Sequence, residues 1–264
     1  MTTAYLFDLD GTLYQGDAAI AGAPELIVRL RKAGTPFRFV TNTTSKPRSA
    51  IVARLRGYGF DVTEEEVFTA LLAGASLARS LGFQSLLPLV TPAALEDLST
   101  FTLIGGSADS SSPPLRFPPQ PDAVMIGDLG GLWSFSLMQQ AFSALMNGAQ
   151  LIALSRDQYW MSAEGLTIDC GAFVAALEYA TGVSSIVAGK PSAMFYQAAA
   201  GSMTLPAGTE VVMVGDDIHS DVGGAIAAGY RGYLVKTGKY RENAVAASGV
   251  APNRILESVV HLLD

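Results

Sequence analysis

The stretch AYLFDLDGTLYQG, residues 4–16, runs apolar into two carboxylates, Asp8 and Asp10, and then breaks at Gly11-Thr12. Ala4–Phe7 reads as a buried strand, with Asp8 at its C-terminal end. Side chains two apart on a strand point the same way. Asp8 and Asp10 would therefore repel each other unless a cation lies between them. Comparable endings recur downstream: FRFVTNTTS (37–45) and EVVMVGDDIHSD (210–221) are apolar runs that finish in polar clusters.

Helical periodicity separates these runs. APELIVRLRKAG (23–34) repeats Leu26, Leu30 and Ala33 at helical spacing and stops at Gly34, and RSAIVARLRGYG (48–59) follows the second apolar run. AVMIG (123–127) and LIALS (151–155) continue the alternation. The βαβα order predicts a doubly wound, Rossmann-like α/β fold whose parallel sheet is covered by helices on both faces. Ligands of such sheets bind beyond the carboxyl ends of the strands. Asp8, Thr41 and Asp216 each fall at such an end. No G-x-G-x-x-G follows the first strand, which argues against a dinucleotide site. KTGKYR (236–241) is not a phosphate loop either, because Tyr233 and Tyr240 stand where that loop needs Gly and Ser/Thr.

The composition narrows the function classes. A formal net charge of −7 with no Lys/Arg-rich run argues against a nucleic-acid partner. The lone Cys170 excludes a disulfide framework, suits a reducing compartment and reads as a core thiol. No export signal opens the chain, so a soluble, cytoplasmic protein is expected. Leu129–Ser155 carries no charge, yet it reads as a Ser-capped helix, an Asn147-Gly148 stop and a buried strand rather than a membrane span. SADSSSPPLRFPPQP (107–121) reads as a surface loop inside a second α/β unit. His219 reads as a helix-surface residue, and Tyr159 and Trp160 as core packing.

The strand-end residues form a coherent chemical set. Asp8, Asp10, Asp216, Asp217 and Asp221 offer oxygen ligands to a hard divalent cation, for which two carboxylates and a backbone carbonyl suffice when substrate phosphate completes the shell. Lys190 in GKPS is a point charge suited to phosphate or carboxylate. Thr41 and Asn42 can donate to phosphate oxygens. The set suits phosphoryl transfer.

In order and spacing it resembles the haloacid dehalogenase-like hydrolases, in the NagD-like branch that carries a large α/β cap between the second and third motifs. DLDGTLYQG, TNTTS, GKPS and VGDDIHSDVGGAIAAGYRGYLVKTGKY carry the likeness over nearly the whole chain. It is strongest toward the phospholysine/phosphohistidine/inorganic pyrophosphate phosphatase group and its hydrolase-domain-containing relatives. The resemblance implies that Asp8 is a nucleophile forming an aspartyl-phosphate and Asp10 the general acid and base. It implies Mg²⁺ on the Asp8 and Asp216 carboxylates and the Asp10 carbonyl, with Asp217 and Asp221 holding metal waters and Lys190. Thr41, Asn42 and Lys190 would grip the phosphoryl group.

The implied layout is a catalytic core of residues 1–71 and 187–264 around an inserted α/β cap of 72–186, with core strands resuming at SIVAGKPS (185–192). The implied partner is a small phosphorylated substrate, and the layout allows a homodimer through the cap. A non-catalytic phospho-acceptor module and a phosphomutase are the rival readings. Asp10 and the long insertion disfavour the first, and the size of the insertion disfavours the second. Residues 70–188 contain no Lys, which disfavours a phosphonatase with a Schiff-base lysine in its cap.

Overall fold

The structure, a computed structural model, describes residues 2–106, 119–162 and 165–264. It divides into two units, one of Met1–Thr41, Arg48–Thr69 and Lys190–Asp264, the other of Asn42–Pro47 and Ala70–Gly189.

The first unit is built on six parallel strands in the spatial order Arg254–Leu256, Arg231–Val235, Glu210–Gly215, Thr3–Asp8, Phe37–Thr41, Val67–Thr69. A parallel strand covered on both faces needs a near-continuous apolar run, and Leu6, Phe7, Val212, Met213 and Val214 supply it. From Thr3–Asp8 the chain winds outward to one side. It then returns at Glu210–Gly215 and winds outward to the other, so the order reverses between these two neighbours. Phe7 lies opposite Val214 and Asp8 opposite Val40. That register sets Asp8 level with Gly215 and one residue short of Thr41, at the switch point where α/β sheets bind ligands. The helix Ala23–Lys32 starts with Pro24 in its first turn and buries Leu26, Ile27 and Leu30. Arg48–Gly57 buries Ile51, Val52 and Leu55 against the same core.

The second unit has five parallel strands in the order Ile186–Val187, Gln150–Ala153, Ala123–Ile126, Ser85–Leu89, Thr102–Leu103. Ser134 caps the helix Phe135–Met146 by accepting the Leu137 N–H at 3.3 Å. Val124, Ile126, Leu137, Leu151, Val174 and Leu177 form its core, with Cys170 buried among them. Among the described residues, no helix is long and apolar enough to cross a membrane.

Two readings of the sequence change here. Ile186–Val187 pairs with Ile152 and Ala153 of the second unit rather than resuming the first sheet, and the division falls at Gly189/Lys190. Two apolar β-branched residues suit either sheet, so only their pairing distinguishes them. Tyr159 and Trp160 lie on a hairpin, Tyr159–Ser162 against Gly165–Ile168, and the two residues are 59% and 45% exposed. They satisfy strand propensity without entering a core. Most of the 107–121 loop lies outside the described residues.

Candidate active site

Carboxylate oxygens of Asp8, Asp216 and Asp221 lie within 4.8 Å of one another, and all three residues are buried. Asp8 closes its strand. Asp216 follows Glu210–Gly215 directly, and Asp221 projects from the wide, π-type turn Ile218–Gly223. The Lys190 ammonium donates to Asp8 Oδ1 at 2.5 Å and to Asp221 Oδ1 at 2.6 Å, and it too is buried. Asp221 thus anchors the lysine from behind while the lysine faces Asp8. Asp217 caps the following turn instead, accepting the His219 and Ser220 N–H groups at 2.9 and 3.0 Å. His219 is exposed.

Asp216 sits in a fitted cradle. A Cβ on Gly11 or on Gly238 would lie 2.1 or 2.0 Å from Asp216 Oδ2, and both glycines have positive φ. Only glycine meets both demands. The Lys239 N–H donates to the same oxygen at 2.6 Å, and Thr237 Oγ1 donates to the Gly11 carbonyl. The 237–239 loop thereby joins the carboxylate cluster to the turn after Asp8. This loop lies within KTGKYR (236–241), which lacks the first Gly and the closing Ser/Thr of a phosphate loop and serves the carboxylate instead. Its only local signal was Thr-Gly-Lys after a buried strand, and its partner lies 23 residues away.

The opening repulsion is resolved locally. The strand ends at Asp8, and Asp10 belongs to the turn beyond it, where it is exposed while Asp8 is buried. The two are not successive same-face residues of one strand, and the cation beside Asp8 is Lys190. Thr41 is buried at its strand end. Asn42 starts the short segment that belongs to the second unit, where its side-chain oxygen packs against Gly189.

Three buried carboxylates crowd together here, and the Lys190 ammonium bonds two of them, Asp8 and Asp221. Two like charges about 4.8 Å apart cost roughly 3–4 kcal/mol at an effective dielectric near 20. Burial, with the Asp8 and Asp221 charges, pushes the Asp216 carboxyl up to about 8. Burial also pushes Asp221 up to about 6, against the pull of Lys190. Burial alone would lower Lys190, but the Asp221 and Asp8 carboxylates outweigh it and hold the lysine well above its usual range. An all-oxygen, electron-rich donor set of this kind fits a hard divalent cation.

This crowding has a sign. A carboxyl whose folded value exceeds the unfolded one, near ~3.9, binds its proton more tightly in the folded state. The stability it contributes is complete below ~pH 4 and is lost as pH rises through about 8. Metal-free protein should therefore melt several degrees lower at pH 9 than at pH 6, and saturating Mg²⁺ should flatten the slope. A metal-free melting temperature that rises over this interval would contradict the crowding.

A family profile described as haloacid dehalogenase-like hydrolase matches residues 5–100, and one described as HAD-hydrolase-like matches 187–262. The chain is 40% identical to haloacid dehalogenase-like hydrolase domain-containing protein 2 of Bos taurus over 262 residues, 99% of this chain and 94% of that one. It belongs to the haloacid dehalogenase-like hydrolases. This hydrolase is also 34% identical to the human phospholysine phosphohistidine inorganic pyrophosphate phosphatase, over 98% of this chain and 93% of that one. Among solved structures it matches NagD from Escherichia coli, the cap-bearing branch, with a TM-score of 0.83 and 25% identity, covering 99% and 98% of the two chains. It matches the glycerol phosphate phosphatase of Mycobacterium tuberculosis in complex with magnesium with a TM-score of 0.82 and 29% identity, covering 98% and 75%.

Proposed function

We propose that this haloacid dehalogenase-like hydrolase is a Mg²⁺-dependent phosphatase that hydrolyses small phosphorylated molecules through an aspartyl-phosphate on Asp8. The observation that carries the reading is the buried triad Asp8, Asp216 and Asp221, with Lys190 bonded to Asp8 and Asp221, at the switch point of the sheet. The Asp8 carboxylate attacks phosphorus and the bond to the leaving oxygen breaks, with Asp10 giving that oxygen its proton. Asp10 then takes a proton from water as the water attacks phosphorus. The bond between phosphorus and Asp8 breaks, phosphate leaves, and both residues are restored.

Lys190, held by Asp221, neutralises Asp8 and the incoming phosphate, and Thr41 and Asn42 donate to phosphoryl oxygens. The Asp8 and Asp216 carboxylates and the Asp10 carbonyl would hold the cation, while Asp221 holds Lys190 and Asp217 caps the turn that carries Asp221. Bound Mg²⁺ supplies the charge neutralisation that lets a carboxylate approach a phosphate. The human relative is named as a phosphatase and the mycobacterial one is a phosphatase complexed with magnesium, which supports both halves of the reading. The second unit serves as the specificity cap, read from the sequence as residues 72–186.

The test is phosphate release from a panel of small phosphate esters. Chelation should lower every rate by at least about a hundredfold, and excess Mg²⁺ should restore it. Full activity in excess EDTA, in protein shown by elemental analysis to hold no metal, would overturn the proposal.

A further inference from the structure

The turn carrying Asp10 is not held by its own hydrogen bonds alone. The Leu9 carbonyl accepts the N–H groups of Thr12, Leu13 and Tyr14, and Gly11 N–H donates to the Tyr14 carbonyl at 2.7 Å. The chain thereby doubles back and Tyr14 bridges Asp10. Tyr14 then enters a two-residue hairpin, Tyr14–Gln15 against Ala18–Ala19, with its tip at Gly16 and Asp17. So short a hairpin is marginal by itself.

The helix Arg48–Gly57 supplies what it lacks. Arg54 Nη2 donates to the Gly16 carbonyl at 3.0 Å, and Tyr58 Oη donates to the same oxygen at 3.1 Å. Arg54 Nε also donates to Tyr58 Oη at 2.9 Å. The guanidinium carbon lies 4.7 Å from the centre of the Tyr14 ring and 5.5 Å from that of Tyr58, and the two rings are 5.2 Å apart. Arginine is suited to this double task, because its planar fork donates in plane while its face stacks on aromatics. Tyr14 is buried although Arg54 is exposed, so the latch reaches from the surface to the residue that bridges Asp10.

We propose that Arg54, with Tyr58, is a positioning residue that fixes the Asp10 turn for proton transfer to the leaving group, a role that rests on the acid–base reading of Asp10. The role requires neither residue to touch substrate. Loosening the latch leaves the nucleophile, lysine and carboxylate cluster in place and misplaces only the acid. The expected defect is therefore selective in the phosphorylation step, while hydrolysis of the phosphoenzyme, where Asp10 serves as base, slows alike for every substrate. A leaving group that departs as a stable anion hardly needs a proton, whereas an alkoxide does.

The experiment compares Arg54→Met and Tyr58→Phe with the unaltered protein in Mg²⁺, on p-nitrophenyl phosphate and on glycerol phosphate. With enzyme in excess and phosphorylation of Asp8 followed by rapid quench in a single turnover, both variants should keep the rate with p-nitrophenyl phosphate within about threefold. With glycerol phosphate the single-turnover phosphorylation rate at saturating enzyme should fall about tenfold for Arg54→Met and less for Tyr58→Phe, a fraction of the roughly 10²–10⁴ that general acid catalysis contributes. Equal losses on both substrates, or none on either, would overturn the role. Asp10→Asn in the same assay separates the two levels. If it shows no selective loss on glycerol phosphate, the acid assignment itself fails. If it shows that loss and the latch variants do not, only the positioning role fails.

Discussion

Asp8→Asn should lower turnover of every phosphate ester by about 10⁴-fold or more, the scale on which removing a covalent nucleophile acts. Rapid quenching with a ³²P-labelled substrate should find acid-stable, hydroxylamine-labile label on the unaltered protein and none on the variant. The fold should survive. In the metal-free protein Asp8 is one of three crowded carboxylates, and Lys190 still has Asp221 at 2.6 Å to pair with when Asp8 is neutral. The amide is nearly the same size and relieves like-charge repulsion, so the metal-free melting temperature should stay equal or rise. A variant that is both inactive and unfolded would say nothing of the nucleophile. A folded variant that still accumulates phosphoenzyme would place the covalent intermediate on another residue.

Much of this site is legible in the sequence because parallel α/β sheets place ends of apolar runs on one edge. Asp8, Thr41 and Asp216 could be assigned to that edge from local pattern alone, and the observed register brings their strands side by side. Periodicity also suffices for the helices, as Leu26, Leu30 and the stop at Gly34 show. What stays hidden is whatever depends on pairing across long sequence separations. The Lys239 N–H on Asp216, the Arg54 fork on the Gly16 carbonyl and the pairing of Ile186–Val187 with the second sheet leave no periodic trace. Exposure is hidden for a related reason. Tyr159 and Trp160 have the composition of a buried strand, and they are surface residues because no layer among the described residues covers them.

Lys190→Met carries the second large effect, and it tests whether the cluster is built for an added cation. Lys190 is a buried ammonium 2.5 Å from Asp8 and 2.6 Å from Asp221. Removing one partner of a buried ion pair costs roughly 3–5 kcal/mol, because the remaining charge stays buried without compensation. At about 2–4 °C per kcal/mol for a chain of this size, the metal-free melting temperature should fall by ~10 °C. Two independent changes should recover part of that loss. Saturating Mg²⁺ returns positive charge and stabilises the folded state by mass action. Acidification to about pH 5 protonates carboxyls that burial and mutual repulsion already push upward, Asp216 to about 8 and Asp221 to about 6. Activity should not recover with stability. In the proposed mechanism the lysine also neutralises the phosphoryl group in the transition state, and losing one such electrostatic contact costs about 10²–10³ in kcat. If the variant melts at the wild-type temperature without metal, the three carboxylates do not depend on the lysine for their charge balance. If Mg²⁺ restores kcat as fully as it restores the fold, Lys190 is a structural counter-ion with no part in phosphoryl transfer.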